Sequence, residues 1–376
     1  MKKARARDLG IVLPGTPGLH NAITDVSGVE VGFSTVIIGE PQDYKGPGSA
    51  FARTGVTAVL PRGKRRSAVF AGRCDLNGNG ELTGTHWIDD SGFMHGPLMI
   101  TNTNSVGVVR DTVSKWMLDN GFYYPMVEGG RPIEGVGYFY PTVGETWDGT
   151  LNDTNGFHVK AAHALEALEN AKPGPVAEGN VGGGTGMQCH EFKGGTGTAS
   201  RVLTKEQGGF TVGALVQANH GFRAHFEILG VPMADKIKGC DPILNSLAPK
   251  PGTGSVIVAL ATDAPLLPRQ LSKMCRRAPI GIGKLGAGFE NGSGDIFLAF
   301  SSANENAYTF TQTKIDLLGD DMMDPIYKAA AEAVEEAILN ALCAAETMTG
   351  IEGNTYFALP HEQVVAVLDE YGKIRR

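Results

Sequence analysis

The sequence predicts a layered α/β sandwich. Short apolar runs of strand length outnumber the helix-length periodic stretches, and the two kinds do not alternate one for one, as a doubly wound parallel sheet requires. Of the 376 residues, 42% are hydrophobic and 19% charged, a balance that supports a packed core. The 52 glycines lack the every-third spacing of collagen, so they serve turns and close backbone approach.

Each element has its own signal. Val56 to Leu60 and Leu98 to Thr101 are apolar runs that predict strands. Val106, Val109, Val113, Trp116 and Met117 recur at three- and four-residue steps, predicting a helix over Val106 to Asn120 that Gly121 caps. Phe157, Ala161, Ala164, Leu165 and Leu168 repeat that pattern and predict a helix from Asn155 that ends before Pro173. Strands are predicted at Phe210 to Gln217, Val256 to Ala261 and Ile296 to Phe300. Between them, Pro268 to Arg277 reads as a helix with Leu271, Met274 and Cys275 inward. The last helix is the clearest, with Asp324 as cap, Pro325 at the first position and one stripe running from Ile326 to Leu342. The only linker-like stretch is Leu247 to Gly254.

Charge and composition exclude several functions. A net charge of -7 opposes the basic face that a nucleic-acid binder needs, and the cluster Arg62, Lys64, Arg65 and Arg66 reads as a solvated turn. No apolar run approaches membrane-spanning length, and Met1-Lys-Lys-Ala-Arg leads into no signal-peptide core, so a soluble cytoplasmic protein is expected. Five cysteines without CxxC spacing suit reduced thiols. Gly281, Gly283 and Gly286 satisfy GxGxxG, but no strand precedes them. Gly182 to Gly186 and Gly194 to Gly197 lack the GK[ST] of a phosphate loop. No metal is expected: His158 and His163, like His220 and His225, are five apart, which on a helix turns their side chains away from each other. GxSxG is absent as well.

What remains is Gly252-Thr-Gly254-Ser255-Val-Ile-Val-Ala-Leu, a serine between flexible glycines and a buried strand. Its hydroxyl is placed to attack the carbonyl of Gly254 and cut the chain, and glycine at 254 admits the strained peptide that such attack needs. The freed α-amine, with an ordinary pKa of about 7.7 to 8.0, then serves as base for the same residue's hydroxyl. Spacing alone is better matched by an ordinary Gly-Ser turn entering a strand.

Wider segments change that balance. Gly254-Ser255-Val-Ile-Val-Ala-Leu-Ala-Thr-Asp-Ala-Pro-Leu-Leu-Pro268 resembles the self-processing site of the DmpA-type L-aminopeptidase/D-esterase family, which includes the β-peptidyl aminopeptidases. The resemblance covers nearly the whole chain, through Pro14-Gly-x-x-Gly18-x-x-Asn21, Ala52-Arg-Thr-Gly-Val-Thr-Ala58, Leu76-Asn-Gly-Asn-Gly80, Ile100-Thr-Asn-Thr-Asn-Ser105, Gly179 to Met187, Val216-Gln-Ala-Asn219-His-Gly and Gly292-Ser293-Gly-Asp295.

The resemblance implies a four-layer αββα sandwich of N-terminal-nucleophile hydrolase type. It also implies one domain over 1–376 cut into 1–254 and 255–376, with the processed pair assembling into a homo-oligomer. It implies Ser255 as nucleophile, Asn219 as oxyanion-hole donor, and Ser293 with Asp295 as the Ser-Gly-acid element bonded to the nucleophilic end. Relatives often carry Glu at the last position, so Asp295 is one methylene shorter. Glu145 matches the acid that receives a substrate's ammonium group. The activity implied is removal of N-terminal residues from small peptides, amides or esters, without metal or organic cofactor. Two rivals stand beside it. One is an ornithine-acetyltransferase-type acyltransferase, whose oxyanion segment Gly184-Thr-Gly-Met187 resembles but whose nucleophile is Thr after Ala. The other is an inactive relative serving as a binding or assembly module.

Overall fold

Two β-sheets lie face to face between two layers of helices. The computed structural model describes residues 3–129, 131–245 and 253–375, so most of the linker expected at Leu247 to Gly254 lies outside the described residues. In chain order the strands that build the sheets are β1 (Glu30–Ile38), β2 (Ala52–Lys64), β3 (Val69–Gly78), β4 (Phe93–Met94), β5 (Leu98–Asn102), β6 (Thr142–Thr146), β7 (Gly195–Val202), β8 (Thr211–Asn219), β9 (Thr253–Thr262) and β10 (Gly292–Ser301). The helices are α1 (Thr85–Ser91), α2 (Val106–Asn120), α3 (Ala161–Glu169), α4 (Pro268–Cys275), α5 (Ala278–Gly283), α6 (Met323–Ala344) and α7 (His361–Glu370). The first sheet has the order β1-β2-β5-β6 and the second β7-β8-β9-β10-β3-β4. All neighbours are antiparallel except β5 with β6 and β9 with β10.

Strict alternation along the strands produces the layers. In β9, Val256, Val258 and Leu260 pack with α4, α5 and α6, whereas Ile257, Ala259 and Ala261 join Val59, Leu98 and Ile100 of the first sheet. The first sheet turns Val56, Ala58, Leu60 and Met99 outward onto Val109, Val113 and Met117 of α2 and Ala164 and Leu168 of α3. Three apolar clusters therefore correspond to the three interfaces of an αββα sandwich, as the family resemblance implies.

Glycines let the layers approach. A Cβ on Gly32 of β1 would lie 2.1 Å from the Ala167 carbonyl oxygen of α3, and one on Gly197 of β7 would lie 2.0 Å from that of Ala337 in α6. Gly194 to Gly197 thus enters a strand that packs under a helix, where no side chain fits. Helix α6 also carries a buried charge network. Glu336 takes bonds of 2.8 and 2.9 Å from Arg7 and one of 2.8 Å from Arg201. Burial raises its carboxyl pKa, but the Arg7 bonds and the two guanidinium charges outweigh that and hold it below the ordinary value.

Several expectations need correction. Arg62 is not in a solvated turn: it is 6% exposed within β2 and donates to the carbonyl oxygens of Ala68 (2.7 Å) and Ser302 (3.1 Å) and to Ser67 Oγ. Phe157 is not helical, because its φ of +50° and 56% exposure put it in a turn before α3. Asp324 lies inside the first turn of α6 rather than capping it. Gly281 and Gly283 belong to α5, whose pattern the glycines hid. β3 was missed because its second half, Arg73 to Gly78, is polar and only partly buried.

Two substitutions test the close-approach argument. Gly197→Ala is predicted to destabilise the protein by about 2 kcal/mol or more, because backbone of α6 must move. Gly107→Ala, in the first turn of α2 with nothing within 4 Å of the added carbon, is predicted to stabilise it by about 0.5 kcal/mol. Unfolding midpoints of the two variants against wild type check both signs.

Candidate active site

The alternation that builds the core also delivers Ser255 to a cavity. Residues 257, 259 and 261 of β9 point between the sheets, and Ser255 is the next member of that series, at the end of the layer. There the sheets diverge around a cavity of about 710 Å³ lined by Glu81, Thr103, Glu145, Trp147, Asn219 and Ser255, among others. Register fixes the neighbours: Ser255 pairs with Asn219 of β8 on one side and with Gly294 of β10 on the other.

Two donors converge on the Ser255 hydroxyl. Asn219 Nδ2 and the backbone N–H of Trp147 each lie 3.3 Å from Oγ. The Asn219 amide has a defined orientation, since Nδ2 donates to the Trp147 carbonyl at 2.9 Å while Oδ1 accepts from the Gln188 N–H at 3.1 Å. Trp147 N–H is a contributor that the sequence could not reveal, because any residue type supplies the same backbone donor.

Gly254 is required, but not for positive φ. Its backbone is ordinary strand, and a Cβ there would lie 2.5 Å from the Asn219 carbonyl oxygen and 3.0 Å from His220 Cα. A side chain would push β8 away and open the Asn219–Ser255 pair.

Ser293 and Asp295 form their own unit beside this pair. Ser293 Oγ donates to Asp295 Oδ1 at 2.6 Å, and Asn77 Nδ2 lies 3.4 Å from Oδ2. A register shift between Asp295 and Ile296 sets this end of β10 off from the regular strand, and Gly294 between the two side chains meets the Asn79 carbonyl too closely for any Cβ. Burial raises the Asp295 carboxyl, Ser293 and Asn77 lower it, and Glu290 raises it again. Ser293 stands opposite Gly254 and Asp295 opposite Val256, so the pair flanks the Gly254-Ser255 bond.

Glu145 supplies the cavity's buried acid. It is 4% exposed, accepts the Glu81 N–H at 3.0 Å on Oε1 and the Thr103 hydroxyl on Oε2. Burial raises its carboxyl above the ordinary value, these two bonds lower it, and the charges of Glu81 and Asp148 raise it further. Glu81 itself is exposed and lines the same cavity, a second acid beside Glu145.

The histidines five apart, His158 with His163 and His220 with His225, have separate surroundings. His158 Nε2 contacts Asp153 (3.3 Å), His163 Nδ1 accepts the Lys160 N–H, and His225 is half-exposed. His220 instead joins Cys189 and His190 in a buried cluster whose ligand-type atoms lie within 4.8 Å of one another. Burial holds His190 at about 3 and His220 at about 4, so both rings are neutral, and raises the Cys189 thiol to about 12. His190 is stacked on Phe226, with ring centroids 4.5 Å apart.

The sequence and the fold are similar to those of known proteins. The chain is 48% identical to the beta-peptidyl aminopeptidase BapA of Sphingosinicella microcystinivorans, covering 98% of this chain and 93% of that protein, and 42% identical to that of Sphingosinicella xenopeptidilytica over 97% and 90%. Its fold superposes with a TM-score of 0.88 and 44% identity on the L-aminopeptidase D-Ala-esterase/amidase of Ochrobactrum anthropi, described as a variant of the Ntn hydrolase fold, covering 99% of this chain and 100% of that one. The beta-aminopeptidase of a Burkholderia species matches with a TM-score of 0.84 and 44% identity, over 98% and 99%. A family model extends over residues 21–356, and with it the chain belongs to peptidase family S58.

Proposed function

We propose that this aminopeptidase cuts itself between Gly254 and Ser255 and then uses Ser255 to remove N-terminal residues from small peptides, amides or esters. The reading rests above all on one cavity that holds a serine hydroxyl, two oxyanion-type donors and a buried carboxylate. The relatives' names, beta-peptidyl aminopeptidase and L-aminopeptidase D-Ala-esterase/amidase, point to the same substrate classes. A processed pair that assembles as a homo-oligomer in the cytoplasm fits a chain with five free cysteines.

In self-cleavage, Ser255 Oγ attacks the Gly254 carbonyl carbon, the C–N bond breaks, and the hydroxyl proton passes to the departing nitrogen. Water then hydrolyses the ester, leaving a Gly254 carboxylate and a Ser255 with free amine and hydroxyl. In turnover the α-amine takes the Oγ proton as Oγ attacks the substrate carbonyl, and returns it to the leaving group. Asn219 Nδ2 and Trp147 N–H stabilise the oxyanion. Ser293 and Asp295 are proposed to orient the new amine, since they flank the bond whose cleavage creates it.

Glu145 accounts for exopeptidase action. A free substrate ammonium finds its carboxylate in a partly dry cavity, where a charge-assisted bond contributes about 1.5 to 3 kcal/mol. An acylated amine leaves the carboxylate unpaired.

Two experiments follow. Purified wild type is predicted to run as fragments of about 27 and 13 kDa, in proportion to the 254 and 122 residues of a 39.7 kDa chain, and Ser255→Ala as one uncut chain. An uncut wild type that still hydrolyses peptides sinks the mechanism.

N-acetylation of a small aminoacyl amide is predicted to lower kcat/KM by at least about tenfold to a hundredfold, and Glu145→Gln to narrow that gap while leaving cleavage intact. The preference requires ionised Glu145. Because its pKa is raised, the preference is full above that pKa and fades on acidification sooner than an ordinary carboxylate allows. Undiminished preference in Glu145→Gln moves the role to Glu81.

A further inference from the structure

Lys193 is 0% exposed and, among the described residues, forms no ion pair. Burying an ammonium without a carboxylate is costly, so the residue needs a reason. Its Nζ lies 2.7 Å from the Met187 carbonyl oxygen, 2.9 Å from that of Gly194 and 3.4 Å from that of Gly184. Three acceptors on one nitrogen match an ammonium, which has three donors and no lone pair; a neutral amine would turn its lone pair on a carbonyl oxygen. Burial nonetheless lowers its pKa well below the ordinary value.

The Met187 contact leads to the nucleophile. In a trans peptide the C=O and N–H point in opposite directions. The unit that accepts from Lys193 through the Met187 oxygen donates through the Gln188 N–H to Asn219 Oδ1 at 3.1 Å. Across the Asn219 amide, Nδ2 faces Ser255 Oγ. A cation at one end polarises both amides in the same sense, strengthening Gln188 as donor to Oδ1 and Nδ2 as donor to the oxygen beyond it.

We propose that Lys193 is a positioning residue of the oxyanion hole, acting through the Met187–Gln188 peptide to hold and polarise the Asn219 amide; this rests on the reading of Asn219 as an oxyanion donor. The glycine-rich turn serves the same end. A Cβ on Gly183 would meet the Gln217 side chain and the Ile100 carbonyl oxygen, and one on Gly184 the Thr196 amide, so the turn is closely packed where the Gly184 and Met187 carbonyls face Lys193.

A double-mutant cycle tests the relay. Asn219→Ala is expected to lower kcat by about a hundredfold or more. Lys193→Met is expected to lower kcat by about tenfold with KM within about threefold, and to have less than about a twofold further effect when Asn219 is already alanine. Processing is checked by mass before each measurement. An undiminished kcat in Lys193→Met, or a tenfold loss that persists in the Asn219→Ala background, overturns the relay alone. A loss below tenfold in Asn219→Ala overturns the oxyanion reading and the relay with it.

Wild type provides a second measurement that no folding defect of Lys193→Met obscures. In a crystal structure at better than about 1.2 Å, where amide hydrogens become visible, Nδ2 of Asn219 should face Ser255 and Lys193 should donate to Met187. An Oδ1 turned to Ser255, or a Lys193 detached from Met187, contradicts the proposal.

Discussion

The pairing of β9 with β8 and β10 is the constraint on which the site depends. Backbone hydrogen bonds place Ser255 opposite Asn219 on one side and Gly294 on the other, and a slip of one residue would turn the hydroxyl out of the intersheet layer toward the helices. Val256, Val258 and Leu260 pack toward the helices and Ile257, Ala259 and Ala261 toward the first sheet, so core packing over six residues holds the strand that carries Ser255. Stability of the sandwich and placement of the Ser255 hydroxyl are thus one requirement.

Close approach is the second theme. Gly254 against Asn219, Gly294 against Asn79 and Gly183 against Ile100 each bring backbone to within a distance that no side chain tolerates. Backbone donors and carbonyls can then stand where side chains would otherwise be, as Trp147 N–H does beside Ser255 Oγ and the Met187–Gln188 peptide does between Lys193 and Asn219. Buried charge is handled in two ways around this frame. Glu336 is neutralised by Arg7 and Arg201 far from the cavity, whereas Lys193 is solvated by carbonyl oxygens alone beside it.

Much of the architecture was legible. The three-four spacing from Val106 to Met117 marked α2 to the residue, and the apolar runs at Phe210 to Gln217 and Val256 to Ala261 marked two adjacent strands of the second sheet, 211–219 and 253–262, within a few positions. Ser255 stood out because glycine, serine and a buried strand meet there, but spacing alone could not separate it from a turn, and the expectation of a nucleophile came from the family resemblance of the ordered motifs. Lys193 and Arg62 were illegible for a common reason. A charged residue reads as solvated unless the partners that bury it are known, and those partners lie far along the chain, as Ser302 does for Arg62, or are backbone carbonyls, as for Lys193. Asn219 likewise meets the Ser255 hydroxyl only through the pairing of β8 with β9.

The central claim is that the Ser255 hydroxyl, on a new N-terminus, carries the acyl group during turnover. The most direct measurement is acid quenching of the enzyme with a slowly deacylated amino-acid ester, followed by mass mapping of the trapped adduct. The account predicts one acyl group on the hydroxyl of a peptide that begins at Ser255. An acyl group on another residue, or on a Ser255 still joined to Gly254, would contradict it.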